Sequence, residues 1–303
     1  MSIQQKVKRC WQRVDGVLLL DKPVGMTSNS ALQSARRLFS AAKAGHTGTL
    51  DPMASGLLPV CFGEATKFSA DLLEADKIYE AELMFGVTTN TGDAEGDVVE
   101  RRLPSFALSD LEGALERFRG RIRQVPPMYS ALKRNGRPLY ELARQGIEVE
   151  REAREVTISE LALTNFSGEH CRLRVTCSKG TYIRTLAEDI GHALGCGAHL
   201  TALRRIAVDV LDVSGALTLD QIAAIPEEER AACLSPLDSL LQSLPPVFLD
   251  ETAASRFSHG NPVSAGGCVA GKCRVYASGQ LLGVGEVKAS GEIWPRRLVV
   301  SQS

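Results

Sequence analysis

The sequence predicts an α+β fold: a mixed, largely antiparallel sheet in a domain spanning 1–245, followed by a small β domain spanning 246–303. Three observations carry this. Helical and strand-like periodicities occur along the first domain without the regular alternation that a doubly wound parallel sheet requires. The strand-like segments alternate apolar and polar residues, as a sheet does when one face meets the core and the other meets water. The stretch Ser243-Leu244-Pro245-Pro246 then breaks the chain, and beyond it short apolar runs such as Leu281-Leu282 and Leu298-Val299-Val300 are separated by turn signals.

Taken in order, the first element is the apolar run Val17-Leu18-Leu19-Leu20, ending at Asp21. A helix follows, because Leu32, Ala35, Leu38 and Phe39 recur at helical spacing behind three candidate caps, Thr27, Ser28 and Asn29. Arg36 and Arg37 flank its apolar stripe. Residues 45–59 read Gly-His-Thr-Gly-Thr-Leu-Asp-Pro-Met-Ala-Ser-Gly-Leu-Leu-Pro. Gly45, Gly48 and Gly56 permit backbone angles other residues resist, and Pro52 pushes the preceding residue into an extended conformation. Asp51 is therefore presented from a rigid loop. Nothing around it matches a serine nucleophile elbow, a phosphate loop or a metal cluster, so Asp51 is either a turn former or a nucleophile or base in its own right.

A strand is expected over 79–85. Ser109-Asp110-Leu111-Glu112 has a capping-box pattern and opens a helix through Leu115 and Phe118 that Gly120 stops. Residues 124–152 combine Pro126, Pro127, Gly136, Pro138 and Gly146 with Lys133, Arg134, Arg137 and Arg144, a poor composition for a core element. Strands are expected over 156–164 and 171–177, where Leu173, Val175 and Cys177 alternate with Arg172, Arg174 and Thr176. A helix should occupy 184–194. In the second domain Gly283-x-Gly285 is too short for a dinucleotide fingerprint and marks a strand bend.

Composition narrows the function classes. The chain has 303 residues, 44% hydrophobic and 23% charged, ordinary for a globular protein with a substantial core. No stretch approaches the roughly 20 apolar residues that cross a bilayer, and no secretion signal is evident, so a cytoplasmic protein without membrane contact is expected. Eight cysteines form no C-x-x-C pair and are expected reduced. Cys196-x-x-His199 lacks a second ligand pair for zinc, and Asp93-x-Glu95-x-Asp97 lacks the remaining ligands of a calcium loop, so no metal is expected and the acidic run is a turn. The net charge of −1 conceals segregation: residues 1–43 carry 8 Lys+Arg against 2 Asp+Glu and residues 117–144 carry 8 against 1, whereas 44–116 carry 4 against 14. Polyanion binding depends on such local patches rather than on net charge.

Residues 45–59 resemble the catalytic motif of the TruB family of tRNA pseudouridine synthases. The resemblance recurs in the family's order: Asp21-Lys22-Pro23-Val24-Gly25-Met26-Thr27-Ser28, Lys77-Ile78-Tyr79, Gly86-Val87-Thr88-Thr89-Asn90-Thr91-Gly92-Asp93, Val125-Pro126-Pro127-Met128-Tyr129-Ser130-Ala131-Leu132-Lys133, Cys177-Ser178-Lys179-Gly180-Thr181-Tyr182-Ile183-Arg184-Thr185 and Gly195-Cys196-Gly197-Ala198-His199-Leu200. Asn90 stands where family members often carry Asp, and no role is assigned to it. The resemblance implies a pseudouridine synthase catalytic domain over 1–245, with a thumb loop at about 124–152 that closes on RNA, and a PUA-like RNA-binding β-barrel over 246–303, where Lys272 and Arg274 would meet RNA. It also implies the reaction, an isomerisation of uridine to pseudouridine at position 55 in the T-loop of tRNA, with the target base flipped out and no cofactor.

By the same resemblance Asp51 is the catalytic carboxylate and Arg184 its paired cation. Tyr79 stacks on the flipped uracil and offers a hydroxyl for proton transfer. His46 contacts RNA near the vacated stack, Tyr182 and the backbone around Leu203 line the uracil pocket, and Lys22 and Lys67 serve phosphates or structure. The partner is tRNA through its T-arm, with no obligate protein partner evident. Two other roles fit the same residues: a guide-dependent synthase acting on ribosomal RNA, disfavoured by the short N-terminal extension and intact thumb, and a tRNA-folding chaperone acting by binding alone.

Overall fold

A computed structural model describes residues 10–264 and 266–300. Three residues of the basic N-terminal segment, Lys6, Lys8 and Arg9, lie outside the described residues. In chain order the elements begin β1 (Gly16–Lys22), α1 (Ser28–Leu38), β2 (Ala44–His46), β3 (Ala54–Phe62), α2 (Ser69–Leu73), β4 (Lys77–Phe85), β5 (Val87–Thr89), β6 (Val98–Arg101), α3 (Leu108–Glu116) and β7 (Gly120–Gln124). The next are β8 (Lys133–Arg134), β9 (Arg137–Pro138), α4 (Leu139–Ala143), β10 (Arg154–Ser167), β11 (His170–Cys177), α5 (Ile183–Ala193), β12 (Ala198–Val208), β13 (Leu211–Asp212) and α6 (Leu219–Ala224). The C-terminal part holds β14 (Pro246–Phe248), α7 (Glu251–Ser258), β15 (Val263–Ser264), β16 (Gly271–Ala277), β17 (Gln280–Val287) and β18 (Glu292–Leu298).

The main sheet has nine strands in the order β1-β3-β12-β4-β11-β10-β7, with β2 paired to β3 and β13 to β12. Among the described strand pairings of this sheet, β3 with β12 is parallel and the others are antiparallel, which is the expected mixed, largely antiparallel sheet. The alternation in β11 is as expected, with Leu173, Val175 and Cys177 buried and Arg172, Arg174 and Thr176 on the wetter face. β1 behaves differently because it is covered on both sides. Leu18 and Leu20 join the core beneath α1 and α5, whereas Val17 packs with Leu57, Phe68, Leu72 and Leu241 on the opposite face. A strand buried on both faces reads as the continuous apolar run seen in the sequence.

Thr27 is the cap that α1 uses: its hydroxyl accepts from the Ser30 amide at 3.1 Å. The next helix starts earlier than expected. α3 opens at Leu108, and Asp110 reaches back to accept from the Ala107 amide at 2.8 Å, so Ser109 lies inside the helix rather than capping it. The basic segment also holds more structure than its composition suggests. It folds into the β8–β9 hairpin and α4, whose Leu139 and Leu142 are buried.

The C-terminal sheet runs β14-β16-β17-β18-β15 and curls around Phe257 of α7, with Val275, Val287 and Ile293. β14 and β15 remain its edges, so it is half of a barrel. The bend at Gly283 is present: its φ is +147°, and an added Cβ would lie 2.0 Å from the Arg297 carbonyl oxygen of the next strand. Lys272 donates to the Asp71 carboxylate at 2.9 Å, and the Arg274 guanidinium lies 5.9 Å from the Tyr276 ring, whose hydroxyl donates to Asp238. Val284 on the same face joins the core formed by Leu72, Leu240 and Leu241, so these cations border the junction with the first domain. Among the described residues no helix is long and apolar enough to cross a membrane.

Candidate active site

The parallel β3–β12 contact assembles the site, because it sets Ala54 beside Leu203 and Gly56 beside Arg205 and so places the loop preceding β3 at the centre of the sheet. That loop, residues 47–53, is pinned on both sides of Asp51. The Leu50 amide donates to the Ser28 hydroxyl at 2.8 Å, the Ala54 amide donates to the Asp51 carbonyl at 3.1 Å, and the Gly25 amide donates to the Pro52 carbonyl at 2.8 Å. Gly48 has φ +77°, a conformation that favours glycine. Asp51 is thus delivered by a loop with little freedom of its own.

Its partner comes from α5, which starts after the turn that ends β11. Arg184 is 4% exposed and approaches the Asp51 carboxylate at 3.0 Å and the Asp93 carboxylate at 3.5 Å. The same guanidinium donates to the Thr91 carbonyl at 3.0 Å and to the Tyr129 carbonyl at 2.7 Å, tying three loops to one cation. Burial pushes the Asp51 carboxyl above the usual carboxylate range. Arg184 pulls it back, Asp93 adds to the rise, and Lys22 pulls it down.

Asp51 and Arg184 sit on the wall between two cavities. The inner one, about 280 Å³, is lined by Tyr79, Tyr182, Leu203 and Arg205, and the segment Tyr129-Ser130-Ala131 borders both. The outer one, about 490 Å³, is lined by His46, Asp93, Glu95, Tyr140 and Arg144. Tyr79 projects from β4, with Val175 and Arg205 directly opposite on the flanking strands. Burial raises its phenol. Tyr182 immediately precedes α5, and its backbone is held at both ends by the side chain of buried Gln124, at 3.1 and 3.3 Å. Leu203 reaches the inner cavity from β12, but its backbone lies in the sheet between Ala54 and Ala81. His46 belongs to the outer cavity, and burial and Arg205 lower the tendency of its ring to protonate.

Two residues here, Asp93 and Arg205, were not anticipated from the sequence, and a third, Lys22, takes the structural one of its two expected roles. The sequence places Asp93 in a turn. It is 3% exposed and turned inward, where the Thr91 hydroxyl donates to it at 2.6 Å and the Glu95 amide at 3.1 Å. The rest of that run is a turn, closed by the Asp97 amide donating to the Asn90 side chain at 3.0 Å. Lys22 is fully buried and donates to the Pro23 and Met26 carbonyls, and burial draws its ammonium down to about 8. Arg205 is 1% exposed beneath the inner cavity. Its signal was available, since alternation along a strand puts residue 205 on the face of Leu203. Lys67 is structural, bridging Glu64 and the Leu298 carbonyl. Cys196 and His199 are both buried, and the His199 ring meets the Val87 carbonyl at 2.9 Å. Among the described residues no three His, Cys, Asp or Glu side chains gather as a metal site.

The site thus gathers two loop carboxylates on one buried cation beside an aromatic wall. The family description "TruB family pseudouridylate synthase (N terminal domain)" matches residues 36–183, "tRNA pseudouridylate synthase B C-terminal domain" matches 184–242, and "Pseudouridine synthase II TruB, C-terminal" matches 245–299. A protein named tRNA pseudouridine synthase B from Dechloromonas aromatica (strain RCB) is 63% identical over 292 residues, 96% of this chain and 98% of that one. Another of the same name from Azoarcus sp. (strain BH72) is 57% identical over 301 residues, 99% of each. A chain in the crystal structure of a Cbf5-Nop10-Gar1 complex is 26% identical with TM-score 0.71, covering 94% of this chain and 85% of that one. A chain in the structure of an H/ACA RNP bound to a substrate RNA containing 2′-deoxyuridine, 23% identical with TM-score 0.73 over 98% and 92%, has the same fold. With identity this high along nearly its whole length, the chain belongs to the TruB family of pseudouridine synthases.

Proposed function

We propose that this protein converts uridine to pseudouridine in tRNA, at position 55 of the T-loop, as a stand-alone enzyme without a cofactor. The observation that carries this reading is the Asp51 carboxylate held 3.0 Å from buried Arg184 on the wall of a cavity lined by Tyr79, Tyr182 and Leu203. The reaction breaks the bond from ribose C1′ to N1, turns the uracil and joins C1′ to C5; the C5 proton leaves and N1 gains one, so no electrons are exchanged. The base must first be extruded from its stack. Tyr79 then offers a face for the uracil, a contact worth roughly 1–3 kcal/mol. Asp51 acts at the glycosidic bond by one of two routes: attack on C1′ with loss of the uracil anion, or assistance to a glycal formed by loss of the C2′ proton, for which the Tyr79 phenolate is the candidate acceptor.

We assign residues 1–245 to catalysis, with the thumb at 124–152 closing on the T-arm, and 246–303 to RNA binding as a PUA-like appendage. The relatives' name over nearly the full chain supports tRNA over ribosomal RNA as substrate. Tritium release from tRNA labelled at uracil C5 tests the reading against a chaperone role. Asp51→Asn should bind tRNA with near wild-type affinity and release no tritium. Appreciable turnover by the purified variant would remove Asp51 from the mechanism.

A further inference from the structure

Arg205 is the largest fully buried side chain described, and no carboxylate lies within ion-pair distance of it among the described residues. An uncompensated buried charge is costly, so its persistence calls for a reason. The guanidinium donates to the Leu57 carbonyl at 2.8 Å and, within the catalytic loop, to the Gly48 carbonyl at 3.1 Å. Directly opposite on β4 is Tyr79, so the two side chains leave the same face of an antiparallel pair, where cross-strand Cβ atoms lie about 4.5–5.5 Å apart. The strand approach is also closed from below, since a Cβ on Gly56 would lie 2.2 Å from the Arg205 carbonyl oxygen.

We infer that Arg205 is a positioning residue for the proposed isomerisation: its uncompensated charge fixes the catalytic loop through Gly48 and stabilises the phenolate of Tyr79, the form able to accept a proton. The inference rests on the functional reading above. On the glycal route the phenolate takes the C2′ proton, the C2′–H electron pair becomes the C1′–C2′ double bond, and uracil departs with the N1 electron pair. Phenol then returns the proton to C2′ when C5 joins C1′. Charged and titratable groups facing Tyr79 are Arg205 from β12, Cys177 from β11 and Asp51 from the catalytic loop. Lys77 lies two residues before it on β4, and Tyr182 and Arg184 line the same cavity. Burial pushes the Cys177 thiol up to about 11, leaving it neutral, and draws the Lys77 ammonium down to about 8, where its charge is partial. Arg184 is committed to two carboxylates. Arg205 is therefore the permanent cation on the Tyr79 side of the cavity.

The test uses full-length protein with Cζ-labelled tyrosine, the Tyr79 signal being identified by its absence in Tyr79→Phe, together with single-turnover tritium release at saturating enzyme. Arg205→Met should move the titration of Tyr79 to higher pH and slow the single turnover by about 10- to 100-fold, the cost of losing a charge-assisted hydrogen bond. In a Tyr79→Phe background the same substitution should cost little more. Arg205→Lys, which keeps the charge, should restore the Tyr79 titration. Arg205→Gln, neutral but able to donate to a carbonyl, carries the same expectation where the Met variant does not fold. An unmoved Tyr79 titration in the neutral variants, or an undiminished rate loss without the Tyr79 hydroxyl, would overturn the inference. A wild type that releases no tritium would refute the isomerase reading, whereas the titration reports on Arg205 and Tyr79 without RNA.

Discussion

Replacing Arg184 with Met removes the cation that pairs with both Asp51 and Asp93. At the observed 3.0 Å and an effective dielectric constant of about 20, the Asp51 pair alone is worth about 5–6 kcal/mol of Coulomb attraction. The Asp51 side chain keeps 38% exposure, so solvent screening reduces the usable part to about 3 kcal/mol. That corresponds to a rate loss of about 100-fold near neutral pH in a single turnover at saturating enzyme. The loss should also depend on pH. Arg184 holds Asp51 down against burial and against Asp93, so without it the carboxyl rises further and less of it is ionised at a given pH. Asp51 is needed ionised, and the deficit should therefore be larger at about pH 6 than at about pH 9. Tritium release across that range is the assay, with thermal unfolding as a check on folding. An equal fractional loss at both pH values would show that Arg184 acts by geometry alone and that the electrostatic argument is wrong.

Asp51 should also carry a stability cost. Its carboxyl is raised in the folded state, so its contribution to stability is full below the ordinary carboxylate range and is lost as pH rises through the raised value. Asp51→Asn should accordingly melt about 1–3 °C higher than wild type near neutral pH, with the gain gone near pH 4, as differential scanning calorimetry would show. A lower melting temperature at neutral pH would contradict this. In the thumb, Arg134→Gln with Arg137→Gln removes two exposed cations and should make the log–log salt dependence of tRNA affinity shallower by about 1–2. Lys272→Gln should leave that slope unchanged because its ammonium is engaged by Asp71. The opposite ranking of the two variants would mean that RNA lies across the junction of the two sheets.

The sequence by itself determined the parts whose cause is local. Alternation in 171–177 specifies a strand with one wet face, Thr27 can cap a helix because its hydroxyl reaches an amide three residues on, and glycines with a Pro-restricted step hold Asp51 in a loop. The tertiary structure decided which distant segments meet. Pairing of β3 with β12 brings residues 54 and 203 together, and only then does Arg205 lie under the catalytic loop and Arg184 between two carboxylates. Asp93 and Arg205 were not legible for the same reason. A charged residue in a single sequence has the prior of a solvated one, and what reverses that prior is a set of backbone carbonyls and partner charges supplied from other strands. The partner of Lys272 was likewise invisible in the sequence, because Asp71 reaches it only where the two sheets dock. Local pattern reports which way a side chain points, and only long-range pairing determines what it finds there.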